Sequence, residues 1–386
     1  MNTFTYSYPV KVYFGEGAAK TNLPAELQKV GPNVLLAYGG GSIKKNGVYD
    51  ELMALLTAAG KTVTEFSGIM SNPTYAKVQA GAALAREKHI DFILAVGGGS
   101  VIDCCKIVSA QAKLDEDIWE LEYGKHGLPT EFIPMGAVVT AFGTGAEMNN
   151  GAVITNEDKM LKSALWGAFH SFAILDPAYT MSMPSRQVIS GAFDSLSHCM
   201  ETYLGTPRND NLSDEINEAT QRSIIRNIRR TLENPEDTHA RSELIWAAAM
   251  AENGILKIGK VTDFQAHMIE HQVGAYTNCN HGMGLAVIHP VLYRYLYKDA
   301  PKHFAKLAVN VWGVDPAGKT AEEIALAGIE ALAEFIKEIG LPTTFTEMGI
   351  PADTDWRAVA ASTVRTPGCC RKLTDEEIET VLKNCI

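Results

Sequence analysis

The chain has 386 residues, 46% of them apolar and 20% charged, with a formal net charge of −11. That length suits two domains with substantial cores, and the negative charge excludes a general nucleic-acid binder, which needs cations to neutralise phosphates. No apolar run approaches the roughly 20 residues that cross a bilayer, and the opening MNTFTYSYPVKVYFG has no basic or apolar signal-peptide region, so a cytoplasmic protein with no membrane partner is expected.

In chain order, VKVYFG, NVLLAYGGG (33–41), KTVTEFS (61–67), DFILAVGGG (91–99) and FIPMGAVVT (132–140) read as short buried strands ending in glycine or turn residues. Between them, TYAKVQAGAALAREKH (74–89) puts Val78, Ala82, Ala85 and Leu84 near one helical face, and VIDCCKIVSAQA follows the fourth strand as a second helix. This alternation predicts an α/β fold with a doubly wound, mostly parallel sheet. After Pro184 the pattern becomes helical, at 187–204, 212–233, 239–258, 261–275, 301–312 and 321–340, the last stopping at glycine before Leu341-Pro342. The expected division is an α/β dinucleotide-binding domain over 1–183 and an all-helical metal-binding domain over 184–386. Seven cysteines, with neighbours at Cys104–Cys105 and Cys369–Cys370, fit neither a disulfide framework nor a zinc ribbon and read as reduced thiols.

Two loops share the string GGGS. Gly39-Gly40-Gly41-Ser42 follows one strand, and Gly97-Gly98-Gly99-Ser100 follows another and runs into a helix. Glycines let a backbone approach a pyrophosphate, and the N–H groups of a helix start attract it. Asp103, one turn in, suits the helix dipole or holds a ribose or amide group. A third polar loop, TAFGTGAEMNNGAVITN from Thr140, closes another strand end. None fits G-x-G-x-x-G, yet three such loops suit the nucleotide crevice of an open α/β sheet. The first loop offers no acid to a ribose 2′-hydroxyl, and Ser42, Lys44 and Lys45 suit a 2′-phosphate, which tilts the expectation to NADP over NAD.

Asp194 and His198 stand four residues apart in AFDSLSHCMETYL, and His267 and His271 do so in AHMIEHQVGAYTNCNHGMG, with His281 ten residues on beside Gly282 and Gly284. Residues at i and i+4 share a helix face. A single such histidine is more often a core residue. An aspartate in an apolar context is costly without a partner, however, and one Asp with two or three His suits Fe(II), Zn(II) or another first-row ion.

From YPVKVYFGEGA through YGGGSIKKNGVYD, SNPT, AVGGGSVID, TGAEMNNGAVITN and ILDPAYT to DSLSHCMETY and HMIEHQVGAY…HGMGLAVIHP, the chain resembles the iron-containing (group III) alcohol dehydrogenases, in their butanol dehydrogenase or aldehyde reductase branch. The resemblance implies the dehydroquinate synthase-like pairing of a nucleotide-binding domain with an all-helical one, in a homodimer. It makes Asp194, His198, His267 and His281 the ligands of one Fe2+ or Zn2+, and His271 a histidine that helps in catalysis. It places the nicotinamide dinucleotide, NADP by the loop reading above with NAD as the alternative, on Gly39, Gly40, Ser42, Asn72, Gly97, Gly98, Gly99, Ser100, Asp103, Thr140, Thr144 and Asn149, with Gly41 in the same loop. A lysine near 160 belongs to this set, Lys162 or its neighbour Lys159. The segment SALWGAFHSF and the C-terminal TPGCCRKLTDEEIETVLKNCI depart from the family pattern. The expected reaction interconverts short-chain primary alcohols and aldehydes. The rivals are an NAD-linked butanol or polyol dehydrogenase on the same scaffold and a non-catalytic nucleotide- or metal-binding sensor.

Overall fold

The computed structural model describes residues 2–368 and 370–386; the thiol reading of Cys369 lies outside the described residues. Two compact units emerge, one over Ser7–Pro184 and one over Ser185–Ile386. The segment up to Tyr6 groups with the second unit, where the Asn2 N–H donates to the Gly259 carbonyl at 3.0 Å. A division at 183/184 by sequence pattern puts that segment in the α/β half.

The first unit holds strands β1 (Lys11–Phe14), β2 (Asn33–Tyr38), β3 (Thr62–Phe66), β4 (Phe92–Gly97), β5 (Met135–Val139), β6 (Gly151–Asn156), β7 (Leu161–Trp166) and β8 (Phe172–Leu175). Its helices are α1 (Ala18–Leu27), α2 (Ser42–Lys45), α3 (Val48–Ala58), α4 (Tyr75–Glu87), α5 (Gly99–Gln111) and α6 (Pro177–Thr180). Six strands pair in parallel in the order β1-β8-β5-β4-β2-β3. Strand β4, FILAVG, is buried at every position, as a parallel strand covered on both faces must be. On one face Val34, Leu36, Leu94 and Ile174 pack with Leu23 and Leu27 of α1 and Leu52 and Leu56 of α3. On the other lies α5, buried from Val101 to Gln111 because the antiparallel hairpin β6–β7 covers its outer side. The chain leads from β2 to β3 on one side and from β4 to β5 on the other. The β2–β4 neighbourhood is thus the switch point beyond which α/β sheets bind ligands.

The hairpin and β8 are absent from the strands read in the sequence. GAVITN and LKSALW interleave polar with apolar residues and read as loop rather than core, because β6 buries only alternate residues.

The second unit is helical: α7 (Ser185–Tyr203), α8 (Leu212–Glu233), α9 (Thr238–Glu252), α10 (Gln265–Thr277), α11 (His281–Leu296), α12 (Pro301–Asn310), α13 (Ala321–Glu338), α14 (Trp356–Ser362) and α15 (Asp375–Lys383). Helix α9 stops short of the expected 258, because Gly254 takes φ 88°, a left-handed conformation that ends helices. Helix α10 starts at Gln265 rather than 261. Helix α11 is a further difference. Gly282, Gly284 and Pro290 look like breakers in the sequence, yet all lie inside it. No helix among the described residues is long and apolar enough to cross a membrane.

Candidate functional site

Helices α7, α10 and α11 bring the spaced acids and histidines together. Asp194 and His198 are buried on α7 and His267 is buried on α10, while His281 opens α11 as its first residue. The Nε2 atoms of His267 and His281 each lie 3.5 Å from Asp194 Oδ1, and that of His198 lies at 3.8 Å. Ligand atoms of Asp194, His267 and His281 fall within 4.8 Å of one another. His198 stands just outside that trio and stacks on the His267 ring at 4.5 Å.

The sequence explains the close approach. The Asn280 side chain accepts from the Met283 N–H at 3.1 Å, which starts α11 at His281. Asn280 also meets Ser190 Oγ at 2.9 Å, four residues before Asp194. A β-carbon on Gly282 would overlap the Ser190 carbonyl oxygen, and one on Gly284 would lie 2.9 Å from Glu270 Cγ. The two glycines let α11 sit against α7 and α10. They do not form the turn that the string HGMG suggests in isolation.

Two carboxylates that the sequence reading passed over stand behind the histidines. Glu201 Oε2 accepts from His267 Nδ1, and Glu270 Oε2 accepts from His281 Nδ1. Both acids are fully buried. Their signal was an acid on an apolar helix a turn or less from a candidate ligand.

Asp194 Oδ1 and His267 Nε2 are buried without a hydrogen-bond partner. Burial pushes the Asp194 carboxyl up, but His198, His281 and His267 outweigh it and hold the group below its ordinary range. Burial likewise pushes His267 down, yet Glu201 and Asp194 raise it to about 10. One carboxylate oxygen and three imidazole nitrogens aimed at a common point form a donor set that could hold Fe(II) or Zn(II). His271 lies beside this set: its ring is 5.5 Å from that of His281, and it groups with Glu270 and His281.

The α/β unit gathers the other predicted residues. The loops after β2, β4 and β5 leave adjacent strands at the same edge. Gly39 approaches the Ile69 carbonyl, and a β-carbon there would lie 3.7 Å from Val101 at the start of α5. A β-carbon on Gly98 would meet Ala141 at 3.0 Å, and one on Gly99 would overlap Thr144 Oγ1. Thr140 N–H donates to the Gly97 carbonyl at 3.0 Å. Gly97, Gly98, Gly99, Ser100, Thr140 and Thr144 thus form one backbone surface at the start of α5. Gly40, Gly41 and Ser42 are exposed beyond β2. Asn72 takes φ 51° just before Pro73.

Asp103 and Asn149 are engaged internally. Asp103 Oδ2 accepts from the Val153 N–H at 2.9 Å. Lys106, with no exposed side chain, donates to the Gly151 carbonyl at 2.6 Å and to Asn149 Oδ1 at 3.1 Å, and lies 3.5 Å from Asp103 Oδ1. The two lysines separate. Lys159 is exposed and pairs with Glu120 at 3.0 Å, whereas Lys162 is buried and its charge acts on Asp103.

Comparison with known proteins agrees with this division. The family described as iron-containing alcohol dehydrogenase matches residues 9–177, and the C-terminal part of the Fe-containing alcohol dehydrogenase family matches 188–386. The chain is 40% identical over 387 residues to the probable NADH-dependent butanol dehydrogenase 1 of Bacillus subtilis, covering 99% of each. It is 35% identical over 362 residues to the NADPH-dependent aldehyde reductase YqhD of Escherichia coli, covering 91% of this chain and 90% of that one. The crystal structure of NADH-dependent butanol dehydrogenase A from Thermotoga maritima superposes with a TM-score of 0.94 at 33% identity, over 100% of this chain and 99% of that one. With both family segments matched along nearly its whole length, the chain belongs to the iron-containing alcohol dehydrogenase family.

Proposed function

We propose that the protein interconverts short-chain primary alcohols and aldehydes, of the butanol kind, with a nicotinamide dinucleotide and one divalent metal. The observation that supports this most is the convergence of Nε2 atoms from three helices on Asp194 Oδ1. In this reading Asp194, His198, His267 and His281 hold the ion, which when bound supplies Lewis acidity toward the substrate oxygen. The names of the relatives, butanol dehydrogenase and aldehyde reductase, support the substrate class.

The chain's own groups do the rest. The N–H groups at the half-buried start of α5, around Gly98 to Ser100, bind the pyrophosphate. Lys162, buried near Asp103, serves the nicotinamide side in preference to Lys159. Hydride transfer belongs to the cofactor, and the protein supplies fixed geometry. His271 moves the proton to or from the substrate oxygen. His271→Ala should lower turnover about a hundredfold while metal content stays at one ion per chain, as metal analysis would read. Loss of the ion would make His271 a ligand instead.

The cofactor's ribose end has two readings. Lys44 and Lys45 favour NADP(H), but Lys44 Nζ is held by Glu65 Oε2 at 3.1 Å. That pairing spends the lysine's charge beside the first glycine loop and supports NAD(H). The deciding experiment is aldehyde-dependent oxidation of NADH and NADPH, side by side, after reconstitution with Fe(II) or Zn(II), with a chelated control. Turnover independent of metal would overturn the reading.

A further inference from the structure

We infer that Glu201 and Glu270 are positioning residues that set the affinity of the metal centre, by orienting His267 and His281 and strengthening them as donors. This rests on the metal reading of Asp194, His198, His267 and His281. The geometry is the same at both sites. Each imidazole presents Nε2 toward Asp194 and gives Nδ1–H to a carboxylate that no water reaches. That hydrogen bond fixes the tautomer and the ring plane, and the negative charge behind the ring strengthens it as a donor to an ion.

Both acids are also anchored from their other oxygen. Glu201 Oε1 accepts from the Ala266 and His267 N–H groups at 2.6 and 3.4 Å, so the carboxylate is held against the first turn of α10. Glu270 Oε1 accepts from Cys279 Sγ at 3.6 Å, and the absence of a side chain at Gly284 leaves room for it. A buried carboxylate without such partners is costly. Here one oxygen of each acid is held by these groups and the other meets a histidine. His198 lacks this arrangement: its Nδ1 is buried without a hydrogen-bond partner, and the ring is kept in place by stacking on His267 and Phe264. The centre therefore has two imidazoles braced by charge and one braced by packing.

The test measures Zn(II) and Co(II) affinity of the full-length protein by competition with a chromophoric chelator. Glu201→Gln and Glu270→Gln should each weaken binding about 10- to 100-fold, and the visible bands of the Co(II) form should shift as the imidazole donors weaken. Unchanged affinity and unchanged bands would overturn the inference, even if the metal-free variants were less stable, because a purely structural role moves stability alone. If Glu270→Gln fails to fold, Glu270→Asp keeps the charge and retracts it by one methylene. Weaker binding supports the inference and wild-type binding rejects it. Failure of the unmodified protein to bind either ion would instead remove the metal reading, and this inference with it.

Discussion

In the helical unit Asp194, Glu201 and Glu270 are buried among imidazoles, whereas in the α/β unit Asp103 and Glu147 are buried around a lysine. The second cluster closes its charge internally. Lys106 donates to Asn149, to the Gly151 carbonyl and toward Asp103, and burial pushes Glu147 up to about 7, so that acid is only partly ionised at neutral pH. The first cluster does not close the same way. It leaves Asp194 Oδ1 and His267 Nε2 without hydrogen bonds, and its acids are met by imidazoles that carry charge only when protonated. Burial and the number of charged groups are similar, so neither marks a site. What distinguishes them is whether the fold supplies the countercharge itself. A cluster completed by its own lysine needs no ion, and one whose donors converge on a point invites one.

The largest expected effect would break the helical side of this comparison. Asp194→Ala removes the one carboxylate that all three Nε2 atoms face. It should abolish metal retention and cut aldehyde reduction by more than about a thousandfold, about 4 kcal/mol of barrier. An active variant that still carries one ion per chain would show that the ion sits elsewhere. The next effect belongs to the α/β side. Lys106→Met keeps the length of the stem but takes the ammonium away from Asp103, Asn149 and the Gly151 carbonyl. Stability should fall by about 3–5 kcal/mol, as expected when a buried pair loses one partner, with metal affinity per folded molecule unchanged. Denaturant titration and metal analysis separate the two outcomes. A Lys106→Met protein of normal stability would mean that the α/β cluster does not depend on its lysine.

The two regions also differed in how far they could be read from residues. Runs such as FILAVG and the glycines after them announce buried parallel strands and their loops, because strand burial and turn chemistry are local properties. The spacing of Asp194 with His198 and of His267 with His271 is local too, and it survives folding on α7 and α10. Helix α11 was not legible. Gly282 and Gly284 serve contacts with Ser190 and Glu270 on other helices, and no propensity argument sees those. Glu201 and Glu270 were hidden for the same reason, since an acid on an amphipathic helix reads as solvated until the partner helix covers it. Hairpin β6–β7 was missed because its polar alternation is set by what α5 needs over it, including the Val153 N–H that Asp103 accepts.

The smallest expected effect carries the comparison to the surface, where a charge pair is open to water and tunes rather than builds. Glu65 sits near the end of β3, opposite Leu36, three residues before the Gly39 loop. It accepts from Tyr38 and, at 2.7 Å, from Tyr49, and it pairs with Lys44, whose Nζ also lies 4.3 Å from the centre of the Tyr49 ring. Tyr38 first, then Tyr49 and Lys44, hold the Glu65 carboxyl down to about 2, so it is ionised throughout the neutral range. An ionised acid beside the loop repels a 2′-phosphate and engages the lysine that would otherwise meet it. Glu65→Gln removes that repulsion and releases Lys44. The ratio of kcat/KM for NADPH over NADH should rise by about tenfold, the effect of roughly 1.4 kcal/mol. Salt should shrink the change, because both charges are exposed and screened. Metal affinity and aldehyde KM should stay where they were. A ratio that does not move would mean that the Lys44–Glu65 pair only fixes α2 to β3, and that Ser42 and Lys45 decide the cofactor without it.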